Sequence, residues 1–166
     1  MKLLVLRHDL AEPREAGASR DADAKRALTS QGRKRAARAA GALARLLDGV
    51  DVLASSPLRR ARETAEALAR ELDDLEVTEV DVLAPEHPPA SVASWLGELG
   101  SVDQVAIVGH EPGLSELVTW LVSGLSTPWL ELGKGGACQL ELPDRVAPGQ
   151  AKLLWLLEPK QLRRLR

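Results

Sequence analysis

The chain opens with a run that leaves it little freedom: Met1-Lys2-Leu3-Leu4-Val5-Leu6, followed at once by Arg7-His8-Asp9. A continuous apolar run this short, without a turn residue, predicts a strand buried on both faces. Strands of that kind belong to largely parallel sheets, and ligands of such sheets sit beyond the carboxyl ends of the strands. Arg7 and His8 therefore stand where the sheet would put its chemistry. An isolated Arg-His pair more often only marks a strand's exit into solvent. The weight comes from later segments that repeat the arrangement.

A length of 166 residues suits one domain, spanning 1–166, with a sizeable core. With no Phe and no Tyr, that core must be built from Leu, Ala and Val, and Trp95, Trp120, Trp129 and Trp155 are the only large anchors. The net charge of −2 lacks the basic excess of a general nucleic-acid binder, so no nucleic acid is expected. Cys138 is alone and can form neither an internal disulfide nor a metal site by cysteine spacing. The opening apolar run is too short for a signal peptide, and no later run approaches the roughly 20 residues of a membrane span. The expectation is a cytoplasmic protein without a membrane association.

Residues 10–28 have no helical or strand period and predict a loop carrying Arg14, Arg20, Lys25 and Arg26. Loops that leave a functional strand are where ligand contacts gather. Thr29 is a suitable N-cap for a helix over 33–47, with Ala36, Ala40, Leu43 and Leu47 on one face. Asp48-Gly49 stops it, and 50–54 reads as a second strand. This predicts a β-loop-α-β unit with parallel pairing and a right-handed crossover.

The second strand runs into Ser55-Ser56-Pro57-Leu58-Arg59-Arg60-Ala61-Arg62-Glu63-Thr64. Ser56 as N-cap with Pro57 at the first helical position predicts a helix start. Arg60 then lies in the first turn, near free backbone N–H groups and the positive end of the dipole, both of which favour an anion. Arg59 and Arg62 read as a solvated face pairing with Glu63 and Glu66 at helical spacing. The helix is expected to finish at Leu72. Residues 75–83 predict an edge strand with one wet face, and Pro85-Glu86-His87-Pro88-Pro89 a break that leaves His87 exposed. A short helix over 91–99 follows.

A third strong strand, 102–108, ends in Gly109-His110-Glu111-Pro112-Gly113 before a helix over 114–122. This repeats the first segment: a buried strand, then a histidine at its exit. Lys134-Gly135-Gly136 reads as a flexible cationic turn, 137–142 and 152–157 as two more strands, and the basic tail from Glu158 as a short helix or frayed end.

Three strand ends thus supply Arg7 with His8, Arg60, and His110. Two histidines and two arginines suit a dianionic tetrahedral group, because guanidinium forks hold phosphate oxygens bidentately and stabilise the crowded transition state. A neutral imidazole can attack phosphorus in line and form a covalent phosphohistidine. Two histidines among arginines make a poor metal site. The absence of a Gly-x-Gly-x-x-Gly run or a P-loop gives no support for a nucleotide cofactor.

Arg7-His8, Leu28-Thr29-x-x-Gly32, Ser56-Pro57-Leu58-x-Arg60-Ala61-x-x-Thr64 and Gly109-His110 resemble, in order, the motifs of the histidine phosphatase superfamily. Gly109-His110-Glu111-Pro112 and Lys134-Gly135-Gly136 most resemble its phosphohistidine phosphatase branch, the SixA-like proteins. The resemblance implies an α/β fold, a three-layer α/β/α sandwich around a mostly parallel mixed sheet of phosphoglycerate mutase-like type. It implies His8 as the nucleophile, Arg7 and Arg60 as holders of the phosphoryl oxygens, His110 as a further donor, and Arg26 as a further phosphate contact. Neither cofactor nor metal is expected.

One position departs from the pattern. The superfamily usually has Gly after the nucleophilic His, and here it is Asp9. A carboxylate there repels phosphate unless it turns away or pairs with an arginine. The expected substrate is a phosphohistidine-bearing protein, since imidazole leaves phosphorus far more readily than an alkoxide, and inorganic phosphate is the product. The alternatives are a small phosphate ester, with Glu86 as general acid, and a non-catalytic phosphate or phosphoprotein binder. Too few residues separate Leu72 from Ser91 for a capping subdomain, so an open site is expected.

Overall fold

A computed structural model describes residues 1–165; Arg166, the end of the basic tail, lies outside the described residues. Among the described residues six strands form one sheet: β1 (Lys2–Arg7), β2 (Val52–Ser55), β3 (Val77–Glu79), β4 (Gln104–Gly109), β5 (Ala137–Glu141) and β6 (Lys152–Leu157). Six helices accompany them: α1 (Arg20–Ala24), α2 (Ser30–Leu46), α3 (Arg59–Ala69), α4 (Pro89–Glu98), α5 (Gly113–Ser123) and α6 (Pro159–Leu162). The strand order is β3-β2-β4-β1-β5-β6, with β3, β2, β4 and β1 mutually parallel and β5 antiparallel to both its neighbours. No helix among the described residues is long and apolar enough to cross a membrane.

Alternation along the strands divides the core in two, because successive side chains point to opposite faces of a sheet. Leu3, Val5, Val105, Ile107, Cys138 and Leu140 pack on one face with Leu96 of α4 and Leu117, Val118 and Leu121 of α5. Leu4, Leu6, Ala106, Val108 and Ala137 pack on the other with Ala36, Ala40 and Leu43 of α2 and Ala61, Ala65 and Leu68 of α3. The result is the expected three-layer sandwich.

The structure corrects several local expectations. The strands β1 and β2 are parallel but not paired, because β4 lies between them. β4 is buried at all six residues, and a strand apolar on both faces belongs at the centre of a sheet. The segment 10–28 is not all loop: Ser19 caps the single-turn α1, its Oγ accepting the Ala22 N–H at 3.2 Å. α3 begins at Arg59 rather than Pro57, with Leu58 as its N-cap. Ser56 is still tied to the sheet, its N–H donating to the Val108 carbonyl at 3.0 Å, and so cannot take up the cap. α3 ends at Ala69, and β3 is a three-residue edge strand followed by a 3-10 turn over Asp81–Leu83. Arg59 pairs with Glu63 and Arg62 with Glu66, as the helical spacing predicts.

Thr29 does cap α2, its Oγ1 accepting the Gly32 N–H at 2.9 Å. Gly32 is required for a second reason: the Leu10 carbonyl, which accepts the Thr29 N–H at 2.9 Å, rests against the helix where a Cβ at position 32 would collide with it. Gly32→Ala should therefore destabilise the chain by about 2 kcal/mol through overpacking. Gly97→Ala, at an exposed position in α4 with open space around it, should be neutral or stabilising. Urea midpoints of the two variants check this; a Gly32→Ala midpoint equal to wild type contradicts the packing.

Candidate active site

Parallel pairing brings the carboxyl ends of β1, β4 and β2 to the same edge of the sheet. Arg7 lies opposite Gly109, and the His8 N–H donates to the Gly109 carbonyl at 3.1 Å. That places the exits of β1 and β4 side by side and brings the His8 and His110 rings to 4.9 Å between centroids, tilted by 54°. Arg60 joins them from the first turn of α3, where its Nε donates to His8 Nε2 at 3.3 Å. All three side chains are buried.

The backbone sets the His8 tautomer. Its Nδ1 lies 2.7 Å from the Asp9 carbonyl, which can only accept, so Nδ1 carries the proton and Nε2 keeps its lone pair. The Arg60 N–H at Nε2 agrees with this assignment. Burial pushes the His8 pKa down to about 3, and the charges of Arg60, Arg7 and Lys134 add to the effect against the opposing Asp9 hydrogen bond. His8 is a neutral imidazole with the lone pair of Nε2 beside a guanidinium.

His110 Nε2 lies 2.8 Å from Ser56 Oγ, while its Nδ1 is buried without a partner among the described residues. Burial lowers the His110 pKa as well, with His8, Arg60 and Arg7 as further causes. Ser56 Oγ already accepts the Leu58 N–H at 3.3 Å, leaving its own hydrogen free for His110 Nε2. In that arrangement Nδ1–H of His110 is a free donor. Arg7 supplies another, since its Nε is buried and unpartnered while Nη1 donates to the Leu132 carbonyl and lies 3.7 Å from Glu131. Buried polar atoms without partners are rare in folded chains, and an anion is the natural complement to this pair of donors.

Arg26 and Arg60 line one cleft with Arg14, Arg20, Asp23 and Glu86. Asp23 of α1 ties it together: it takes the Arg60 Nη2 at 3.2 Å and the Arg26 Nε at 2.9 Å, with Arg14 at 3.6 Å, and its carbonyl accepts Arg60 Nη1 at 2.9 Å. Burial works to raise the Asp23 carboxyl, but Arg60, Arg26 and Arg14 together hold it below its usual range. The segment 10–28 is thus the pocket rim, folded onto Arg60. Glu86 also lines this cleft, its side chain about half exposed and 3.8 Å from Arg20. His87 is half-buried rather than exposed and lines a small apolar crevice with His110.

Asp9 turns away from the arginines of the pocket. Its Oδ1 pairs with Arg35 of α2 at 3.0 Å and accepts the Leu10 N–H at 2.6 Å. Sequence reasoning missed Arg35, Asp23 and Glu111. Glu111 binds Ser115 Oγ at 2.7 Å and the Leu132 N–H at 3.0 Å, so it steadies the carbonyl that holds Arg7. Its place beside His110 was the only available signal. Thr64, part of the motif, links the turns: its Oγ1 donates to the Arg60 carbonyl at 2.8 Å and accepts the Asp9 N–H at 3.3 Å. Among the described residues no group of three or more His, Cys, Asp or Glu side chains could hold a metal ion.

A family model described as histidine phosphatase superfamily (branch 1) matches residues 3–84. A search of curated proteins finds no match. Among solved structures, the chain is similar to the protein histidine phosphatase SixA complexed with tungstate, with TM-score 0.83 and 23% identity over 98% of this chain and 99% of that one. A structure described as that of the "Putative Phosphohistidine Phosphatase SixA" from Nakamurella multipartitia aligns with TM-score 0.78 and 23% identity over 95% of each chain. A phosphoserine phosphatase mutant from Entamoeba histolytica in complex with phosphoserine aligns with TM-score 0.72 and 16% identity over 97% of this chain and 98% of that one. Residues 3–84, which carry Arg7, His8, Arg26 and Arg60, match the model of the histidine phosphatase superfamily (branch 1), and residues 85–165 complete the fold shared with these structures.

Proposed function

We propose that the protein is a metal-independent phosphatase that removes phosphate from protein phosphohistidine through a covalent intermediate on His8. The observation that carries this reading is the His8 geometry: Nδ1–H fixed on the Asp9 carbonyl at 2.7 Å and a lone pair on Nε2 beside Arg60. The Nε2 lone pair forms the N–P bond as the substrate's P–N bond breaks. A phosphohistidine protonated on its other ring nitrogen leaves as neutral imidazole, while His8 becomes the protonated phosphohistidine. The exchange is symmetric and needs no acid from the protein. Water then attacks phosphorus, the N–P bond breaks, and dihydrogen phosphate leaves with His8 neutral again. Arg7, Arg60 and Arg26 offset the phosphoryl charge, and the unpartnered Nδ1 of His110 is a donor to its oxygens.

Several features support the details. The histidine and arginine donor set of the pocket favours an anion over a cation. A single, buried, unpaired cysteine suits the cytoplasm. The SixA structures, by their description, belong to phosphatases acting on phosphohistidine. A second reading, hydrolysis of a small phosphate ester, is favoured by Glu86, which lines the same cleft as Arg26 and Arg60 and could protonate an alkoxide. A non-catalytic phosphoprotein binder is disfavoured because the Asp9 carboxylate pairs with Arg35 instead of opposing the phosphate.

The test is a side-by-side assay in EDTA with a phosphohistidine-bearing protein and a panel of small phosphomonoesters. Preference for phosphohistidine, unchanged by EDTA and by Glu86→Gln, is the expected result. Preference for an ester that is lost in Glu86→Gln replaces it with the second reading.

A further inference from the structure

The Asp9 carboxylate is a buried charge that the chemistry above leaves unused. It is fully inaccessible, it follows the proposed nucleophile directly, and it belongs to a residue with two other attachments. Its carbonyl accepts the His8 Nδ1 proton at 2.7 Å, and its N–H donates to Thr64 Oγ1 at 3.3 Å. On the carboxylate itself, Oδ1 accepts the Leu10 N–H at 2.6 Å and makes an ion-pair contact with Arg35 Nε at 3.0 Å, whose N–H is not aligned for a hydrogen bond. Arg35 in turn donates from Nη2 to the Lys134 carbonyl at 3.1 Å. The next residue, Gly135, donates its N–H to the carbonyls of both Arg7 and His8 at 3.2 Å. A Cβ at Gly135 would collide with Asp9 Oδ2, so the carboxylate and the 133–136 turn are in direct contact. A closed circuit runs from His8 through Asp9 and Arg35 to the turn and back to the His8 carbonyl.

A buried carboxylate is costly to keep, and a small residue at position 9 would avoid that cost. What the charge provides is a fixed peptide plane. The direction of the Asp9 carbonyl decides which ring nitrogen of His8 bears the proton, and Oδ1 fixes the same residue from its other end. We propose that Asp9 is a positioning residue, its Arg35-bound carboxylate holding the Asp9 carbonyl on His8 Nδ1 and thereby keeping Nε2 as the nucleophilic nitrogen. This rests on His8 being the nucleophile. It adds a second anchor, carried by Arg35 on α2, to a tautomer otherwise set by a backbone carbonyl alone.

Asp9→Asn keeps the size of the side chain and removes the charge that Arg35 binds; Arg35→Gln removes the partner, and Arg35→Lys restores a cation. The readouts are the His8 imidazole ¹⁵N shifts and the split between kcat and KM on the preferred phosphorylated substrate. Wild type should show the Nδ1–H tautomer. Asp9→Asn and Arg35→Gln should show a mixture of tautomers and a kcat lower by on the order of 10²-fold, the kind of loss an orienting carboxylate prevents. KM should stay within a few-fold, and Arg35→Lys should recover part of kcat. An unchanged ¹⁵N pattern in a folded Asp9→Asn overturns the proposal, as does an Arg35→Lys no better than Arg35→Gln. The ¹⁵N measurement needs no substrate, so a wild-type protein without turnover refutes the proposed function while leaving the positioning test intact.

Discussion

His8→Ala should lose turnover by at least about 10³-fold, the scale on which removing a nucleophile acts when the rest of the site remains. The loss should fall on kcat, because Arg7, Arg60 and Arg26, the proposed phosphate contacts, remain. Brief exposure of wild-type protein to a ³²P-labelled substrate should leave label that is acid-labile and alkali-stable, the behaviour of a phosphorus–nitrogen bond, and His8→Ala should carry none. Retained labelling in His8→Ala would move the nucleophile elsewhere, with His110 the nearest candidate at 4.9 Å between rings. Turnover without labelling in either protein would mean direct attack by water.

The second large effect is on stability. The His8 pKa is held at about 3 by burial and by Arg60, Arg7 and Lys134, and that of His110 is lowered by burial and by His8. In the unfolded chain both return to about 6.5. Below that value the unfolded state takes up protons that the native state refuses, so stability is complete above about pH 6.5 and is lost as pH falls toward 3. Between pH 7 and pH 5 each histidine should cost about 2 kcal/mol, or about 4 kcal/mol for the pair. Asp9 acts in the opposite sense: burial raises its carboxyl, against Leu10 N–H, Arg35 and Arg163, so acidification slightly favours the native state there. Urea unfolding at pH 7 and pH 5, for wild type and for a His8→Gln/His110→Gln variant, separates these contributions. The variant should lose most of the pH dependence, and an equally steep dependence in both proteins would refute the assignment.

The parts of the site that lie at strand exits were legible because each is announced locally, as an apolar run that stops at a charged or imidazole side chain. Arg7, His8, Arg60 and His110 meet as those signals imply. What the sequence could not show was long-range partnership. Nothing local to Arg35 marks it as the partner of Asp9, and nothing near Asp23 says that its carboxylate collects Arg14, Arg26 and Arg60. Apart from Asp23–Arg26, which are three residues apart, these pairings are made by tertiary packing. Strand order was missed for a similar reason: a β-loop-α-β unit leaves open whether a later strand inserts between its two. The Ser56 cap failed because the Ser56 N–H is still tied to β4 at the Val108 carbonyl, so the helix starts later, at Arg59.

The central place of β4 bears on how the molecule acquires its chemistry. β1 and β2 are synthesised first, yet neither has the other as a neighbour; both wait for a strand that comes later in the chain. Closing a loop of about a hundred residues to set Arg7 against Gly109 is entropically slow, and contacts of that separation form late in folding. The two histidines therefore enter one pocket only in the step that inserts β4 and completes the sheet. Any intermediate lacking that strand keeps Arg7 beside His8 but leaves His110, which follows β4, apart from them, and the paired histidines exist only once the sheet is nearly whole.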